Sequence, residues 1–377
     1  MFSRRLEACS AASERKYPLE VRVGLVCPYS LTIPGGVQGQ VLGLGRALRN
    51  LGVDARILAP CDGPPPDPAV TPLGNSVRAA SNGSMAAIAP DPSAAMRTIR
   101  ALRDEDFDVV NLHEPLAPGP TLTALVFSDD PMVGTFHRSG GSSWYRAFRP
   151  LGVWATGRLA VRAAVSVEAR ETISKAFGGV YELVWNGIDV GLYRSADPWP
   201  TLGPTIMFIG RHEPRKGLAV LIEAMGSLGP DVRLWIGSHG PETERLRQET
   251  AGDPRIEWLG VLGDQEKIRR IRGAHVLCAP SLHGESFGVV LLEGMAAATP
   301  VVASDLAGYR NVARPHQDAL LSPPGDARAL AAALEVALSG GPEVSRMVES
   351  GLERAAAFSL DGLACRYVEL YEKAMGK

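Results

Sequence analysis

The chain is poor in the features that would fix its chemistry early. Its five cysteines, Cys9, Cys27, Cys61, Cys278 and Cys365, are scattered, with no paired metal-binding or redox spacing; this pattern fits a reducing, cytoplasmic compartment. No apolar run is long enough to span a bilayer, and the longest candidate, 151–167, is broken by Arg158 and Arg162. The first twenty residues carry charges throughout and no apolar segment, so they read as a mobile tail and not as a signal peptide. A net charge of -2 argues against a nucleic-acid partner. There is no H-E-x-x-H, no triad order and no full G-x-G-x-x-G, so neither a protein-held metal nor a nicotinamide site is expected. The protein is expected to be soluble or peripheral to a membrane.

What is present is alternation. At 377 residues, 45% of them hydrophobic, the chain has material for two domains with real cores. Apolar strand-like runs at 21–27, 53–59, 107–112, 132–136, 161–167 and 181–185 are separated by helical patterns, beginning with Val37, Val41, Leu44, Leu48 and Leu51 on one helical face. The segment 61–72, rich in Pro and Asp, reads as loop, and 191–204 has the composition of a linker. A second alternation follows, with strands at 205–209, 232–236, 256–259, 275–279 and 301–303 and late helices at about 326–338 and 360–375. Strands alternating with helices imply an α/β fold with mostly parallel sheets covered on both faces. The expected organisation is two doubly wound, Rossmann-like domains, 21–190 and 205–358, joined by a hinge at 191–204. The helix 359–377 closes the chain and is free to pack back on the first domain. The ligand is expected in an interdomain cleft.

The chemistry-bearing stretches follow strands. Ser281 to Glu293, SLHGESFGVVLLE, leaves a buried strand, passes through a loop with Gly284 and Gly288 and enters an apolar helix. Open α/β sheets bind ligands at such carboxyl ends, where a helix N-terminus favours phosphate. Two carboxylates beside an anion site, Glu285 and Glu293 with seven residues between them, make sense when the ligand also carries hydroxyls, as a sugar nucleotide does. Gly210 to Gly217, GRHEPRKG, follows the first strand of the second half; Arg211 and Lys216 there can hold a diphosphate and stabilise charge as it leaves, although such a loop is more commonly just solvated. Pro34 to Gln38, PGGVQ, opens the first helix and is by itself an ordinary strand-to-helix turn. His137 ends one strand, and a lone histidine is more often structural than catalytic. His113 and Glu114, after another strand, are expected to line or shape the cleft.

Together, PGGVQ, GRHEPRKG and ESFGVVLLE, with its E-x7-E spacing, resemble the retaining glycosyltransferases of family 4, which have the GT-B fold of two Rossmann-like domains. The resemblance runs from about Val21 to the C-terminus. Within that family, VGLVCPYSLTIPGGVQ, FDVVNLHEP, GTFHRS and GESFGVVLLEGMAA look most like the actinobacterial phosphatidylinositol mannosyltransferases, cytoplasmic membrane-surface enzymes that use GDP-mannose. The resemblance implies that Gly36 and its loop lie near the diphosphate and acceptor. Arg211 and Lys216 would hold the diphosphate. Glu285 would hydrogen-bond the mannose hydroxyls and Glu293 the ribose, with Ser286, Phe287 and Gly288 of the same loop also binding the donor. His137 would contact mannose and leaving phosphate, and Tyr29 and Gln38 would lie near the inositol ring. The acceptor hydroxyl would attack from the face the diphosphate leaves and give its proton to a phosphate oxygen. No tightly bound cofactor is implied; Mg2+ would come, if at all, with the diphosphate.

The sequence departs from those enzymes near the acceptor side. The helix that is strongly basic in them has only Arg97, Arg100 and Arg103, followed by Asp104, Glu105 and Asp106; Gly39 and Gln40 replace a polar pair; Asn111 stands where a histidine is common. These departures leave the donor assignment intact and the acceptor open between phosphatidylinositol and an already mannosylated form. Between Pro131 and Val167 there is no acidic residue, but five arginines, with Trp144, Tyr145, Phe148 and Trp154 among them. Arg146, Arg149, Trp144 and Phe148 are the candidates for docking on an anionic inner membrane face; the plainer reading is core aromatics and a solvated helix face. The alternatives to a lipid mannosyltransferase are a family 4 enzyme with a soluble acceptor or another nucleotide sugar, and a two-domain sugar sensor without catalysis.

Overall fold

The computed structural model describes residues 21–81, 84–140, 145 and 149–376. The expected tail 1–20 lies outside them, as do Trp144, Arg146 and Phe148. The chain divides into two compact units. The first runs to Gly187 and resumes at Leu360; the second spans Ile188–Ser359.

The first unit is a seven-stranded parallel sheet. Its strands are β1 (Arg22–Val26), β2 (Asp54–Ala59), β3 (Val70–Pro72), β6 (Val109–His113), β7 (Met132–Phe136), β8 (Val161–Ala164) and β9 (Glu182–Leu183), in the order β3-β2-β1-β6-β7-β8-β9. The inner strands are largely apolar because helices cover both faces: Val23, Leu25, Val109, Val110, Leu112 and Val133 are all fully buried. The chain winds outward from β1 to β3, then returns to lay β6 on the other side of β1. That reversal creates a switch point at the carboxyl ends of β1 and β6. A short antiparallel pair, β4 (Val77–Ser81) and β5 (Ser84–Ile88), stands apart, and Ile88 bridges to Tyr29.

The last helix, Leu360–Ala374, packs into this first unit. Tyr367, Val368, Leu370 and Tyr371 join its core, and Leu360 fills the space that glycine leaves at Gly43 and Gly187. A Cβ at Gly43 would stand 2.7 Å from the Leu360 side chain. Arg366 and Lys373 of this helix reach Glu182 at 3.1 and 2.9 Å.

The second unit repeats the plan with six parallel strands: β10 (Thr205–Ile209), β11 (Arg233–Gly237), β12 (Ile256–Gly260), β13 (Val276–Ala279), β14 (Val301–Ser304) and β15 (Leu320–Ser322), ordered β12-β11-β10-β13-β14-β15. Its switch point is at β10 and β13. Each unit is thus doubly wound, as the alternation of patterns requires. The thiols of Cys27 and Cys278 are fully buried, and burial pushes both upward, Cys27 to about 12.

Three expectations need correction. Residues 61–72 are not all loop: Val70–Pro72 form an edge strand on β2, where the proline takes the last position and interrupts no further pairing. The segment 191–204 is not a bare linker. Val190–Ser195 is a helix capped by the Asp189 carboxylate, which accepts from the Leu192 N–H. Trp199 is fixed by its N–H to the Arg269 carbonyl and by the Arg269 and Arg270 guanidinium groups over its ring, so the segment belongs to the second unit. Tyr145 follows the plainer reading of its segment and is core: its ring meets Phe177 at 5.0 Å and lies under Arg138. The helix Pro342–Ala356 was not anticipated; it packs on the helix Val289–Ala296, where Gly351 lies against Met295.

Candidate active site

In the second unit, two loops meet at the carboxyl ends of β10 and β13. After β10 the chain makes one 3-10 turn, Pro214–Lys216, and reverses at Gly217 before the helix Leu218–Met225. Gly217 has φ +69°, and a Cβ there would stand 1.9 Å from the Pro280 carbonyl oxygen. The close approach lets the two loops touch, and the Leu282 N–H donates to the Arg215 carbonyl at 2.7 Å.

At this junction the Lys216 ammonium donates to Glu285 Oε1 at 2.6 Å, Arg215 at 3.3 Å and the Ser281 hydroxyl at 3.1 Å. Burial alone would raise the Glu285 carboxyl, but Lys216, Arg215 and Ser281 outweigh it and hold it below the usual range. Arg215 also reaches back to Glu213, which is buried and pairs with Arg211 at 3.2 Å. The result is a chain of alternating charges, Arg211, Glu213, Arg215, Glu285 and Lys216, at a switch point. The backbone around Glu285 is fixed as tightly. A Cβ at Gly308 would fall 2.0 Å from the Glu285 carbonyl oxygen, and Tyr309 hydrogen-bonds Ser281 at 2.8 Å.

Of the other donor-side candidates, Gly288 has φ +99° and caps the helix Val289–Ala296. The Ser286 carbonyl accepts from Asn311 at 3.4 Å. Phe287 turns its ring into the core, edge-on to Phe358 at 5.5 Å, so it offers a ligand only its backbone. Glu293, one helix turn inside, accepts from Lys267 at 2.9 Å and from the Tyr193 hydroxyl. Its charge holds Lys267 above the ordinary lysine range despite burial.

The first unit carries a different chemistry at the ends of β1, β6 and β7. After β1, Gly35 precedes the helix Gly36–Asn50 with no side-chain cap, and nothing stands within 4 Å of a Cβ at Gly36, so a ligand can approach there. Tyr29 is partly buried and its hydroxyl is pushed up by burial. Among the described residues Gln38 donates to the Ser30 carbonyl, at 3.5 Å. Gln40 is buried and donates to and accepts from the Gly187 peptide at 2.8 Å each way, so its departure from the family pattern serves structure.

At the ends of β6 and β7, His113 Nδ1 and His137 Nε2 lie 3.0 Å apart. Burial drives both imidazoles to the neutral form, His137 down to about 3. Glu114, at φ +54°, accepts from the His137 N–H at 2.5 Å. Burial raises its carboxyl, although the His137 and Arg138 N–H groups pull the other way. Asn111 is buried too. It accepts from Thr135 at 3.0 Å and donates to Tyr371 at 3.0 Å, while Tyr367 meets Thr135 at 3.1 Å.

Sequence reasoning selected Arg211 and Lys216 and passed over Arg215, which lies between them and makes two carboxylate contacts. Ser281, Lys267, Tyr193 and Tyr309 were missed as well. Ser281 opened the very stretch that was singled out; the others left no local signal, because each reaches the site through the fold.

Residues 34–192 match the model of Glycosyltransferase Family 4, and residues 203–339 that of Glycosyl transferases group 1. A phosphatidyl-myo-inositol mannosyltransferase of Mycobacterium leprae (strain TN) is 39% identical over 369 residues, 93% of this chain and 96% of that protein. The chain belongs to glycosyltransferase family 4. It is a glycosyltransferase, and the protein of the same name from Mycolicibacterium smegmatis is 38% identical over 94% of this chain and 95% of its own. The family fold appears in solved structures at lower identity. A sucrose-phosphate synthase from Thermosynechococcus elongatus superposes with a TM-score of 0.74 at 20% identity, covering 95% of this chain and all of that one. The two doubly wound units are therefore those of a GT-B glycosyltransferase.

Proposed function

We propose that this glycosyltransferase moves mannose, with retention, from GDP-mannose to phosphatidylinositol or a mannosylated phosphatidylinositol at the cytoplasmic face of a membrane. The observation that carries the reading is near-full-length identity to phosphatidyl-myo-inositol mannosyltransferases, joined to a cationic cluster at the second switch point. Arg211, Arg215 and Lys216 hold the diphosphate. Glu285 accepts from mannose hydroxyls, and its ionisation by Lys216 and Arg215 suits an acceptor role. Glu293 accepts from the ribose diol. In the reaction, the bond from the mannose anomeric carbon to the phosphate oxygen breaks and a bond to the inositol oxygen forms on the same face. The acceptor proton passes to an oxygen of the departing GDP, and the cations stabilise the charge that builds there.

Among the described residues no group of three His, Cys, Asp or Glu comes together as a metal site, so any Mg2+ is proposed to enter on the diphosphate. No described helix is long and apolar enough to cross a membrane. A peripheral attachment draws support from the helix Arg149–Gly157, where Leu151, Val153 and Trp154 are exposed. Arg149, for its part, donates to the Ala176 carbonyl at 3.1 Å and remains largely exposed.

The test is transfer of radiolabelled GDP-mannose to phosphatidylinositol, to its mono- and dimannosides and to a lipid-free control, with UDP-glucose as competing donor. A labelled lipid of unchanged anomeric configuration is expected. Hydrolysis alone, or transfer to a soluble sugar, would refute the lipid reading. Replacing Arg146 and Arg149 by Glu should weaken binding to anionic vesicles; unchanged binding removes this segment from the membrane contact.

A further inference from the structure

We infer that His113 donates its Nδ1 proton to His137 Nε2, so that His137 is held as the neutral tautomer whose proton is on Nδ1. His113 is thus a positioning residue, and His137 faces its ligand as a hydrogen-bond donor and not as a base. In its functional part the inference rests on the proposed mannosyl transfer; in its structural part it stands alone.

The geometry allows only two arrangements of the shared proton. The nitrogens are 3.0 Å apart and both rings are buried, 5.2 Å between centroids. If His137 Nε2 donates, neutral His113 must carry its remaining proton on Nε2. That atom is sealed from solvent and has no hydrogen-bond partner. An orphaned buried N–H is rarer and costlier than an unused acceptor. If His113 Nδ1 donates instead, Nε2 of His113 is left as an unused lone pair, the lesser cost. The second arrangement prevails, and His137 then carries its proton on Nδ1. Among the described residues Nδ1 of His137 has no protein partner, so it is the ring atom left for a ligand.

The surroundings hold the pair in place. The His137 N–H is anchored to Glu114, and the Tyr367 ring stands 6.4 Å from that of His113. Burial keeps both rings neutral. A consequence follows for the reaction. With Nε2 occupied and Nδ1 protonated, His137 has no lone pair with which to take the acceptor's proton. It can only donate to a mannose hydroxyl or a phosphate oxygen, which leaves the departing phosphate as the proton's destination.

The direct test is nitrogen NMR of the full chain labelled with 15N-histidine, the His137 signals being assigned by their loss in His137→Gln. At pH 7, Nδ1 of His137 should show the shift of a protonated ring nitrogen and Nε2 that of an unprotonated one. The reverse pattern, or an imidazolium, overturns the inference. In the transfer assay, His113→Leu should lower kcat by about 10²-fold, the cost of a misplaced group. His113→Asn, whose side-chain N–H replaces the Nδ1 donor, should recover most of that loss. Equal losses in the two variants overturn the positioning role even if His113→Leu folds poorly. The spectra need no substrate. Expected spectra without lipid transfer would sink only the proposed function, and lipid transfer with a proton on Nε2 would sink only the tautomer.

Discussion

At the carboxyl edge of the first sheet, His113, His137 and Glu114 are buried and driven toward their neutral forms. At the same edge of the second sheet, Glu285 is nearly as enclosed, yet held ionised by Lys216 and Arg215. Burial is common to both places, so it does not decide the charge state. Partners do. The first site supplies imidazoles, tyrosines and backbone N–H groups, and even with the Arg138 guanidinium acting on Glu114 desolvation wins. The second supplies full cations within 3.3 Å, and Coulomb attraction wins. A diphosphate needs fixed charge beside it. A buried imidazole with no carboxylate against its ring stays neutral. The two switch points, alike in backbone plan, are differentiated by what stands next to each ionisable group.

The sharpest way to break this contrast is to remove charge from the second site. Glu285→Ala and Lys216→Ala should each lower kcat by about 10²- to 10³-fold, as expected of groups whose bonds tighten as the leaving group departs. By comparison Glu114→Gln, which keeps an acceptor for the His137 N–H, should cost far less turnover. Equal losses in Glu285→Ala and Glu114→Gln would show that the charge in the second site has no special role. The next effect is on folding. Gly217→Ala must adopt φ near +69° against the Pro280 carbonyl, a strain of about 1–3 kcal/mol that should appear as a lower melting temperature together with weaker GDP binding.

Acid sharpens the contrast from the other side. The folded-state pKa values of His113 and His137 are depressed below the unfolded value, so below about pH 6.5 the unfolded chain binds protons that the folded chain does not. Stability is fully present above pH 6.5 and falls as the pH drops toward 3. Each of these histidines should contribute a slope of about 1.4 kcal/mol per pH unit. Glu285 behaves as a carboxylate with a depressed value: its contribution is present above about pH 4.5 and is lost only below it. Urea unfolding between pH 7 and 5 should therefore show a slope that shrinks in His113→Leu and is untouched in Glu285→Gln. The same slope in both would mean that the histidine pair does not titrate as its burial requires.

Both doubly wound units were legible in the sequence, because parallel strands buried on both faces leave near-continuous apolar runs. So were the loops at their carboxyl ends: glycines and charges concentrated after β1, β10 and β13 stand out against those runs. What was not legible depends on contacts between distant positions. The composition of 191–204 suggested a linker, since Pro, Gly and Asp carry no sign of Trp199 packing under Arg269 and Arg270. Tyr145 sits among arginines, and its sequence neighbours leave core and surface equally open; Phe177, 32 residues on, encloses it. Lys267 lies 26 residues from Glu293 on another helix, and no local pattern could pair them. Asn111 looked like an acceptor-side departure, but its partner Tyr371 is 260 residues away.

That last pair carries the smallest effect and tests how the closing helix bears on the first site. Tyr371 and Tyr367 descend from Leu360–Ala374 onto Asn111 and Thr135, whose strands β6 and β7 end in His113 and in Phe136 just before His137. Tyr371→Phe removes a hydroxyl that accepts from the Asn111 amide and leaves that buried N–H without its acceptor. The cost should be about 1–3 kcal/mol of stability, with the ring's packing intact. Because β6 is also held by β1 and β7 on both sides, the histidine pair should keep its geometry, and kcat should change by less than the stability does. A drop in kcat like that of His113→Leu, at unchanged stability, would mean instead that the helix sets the position of His137, and that the neutral site extends down to Tyr371.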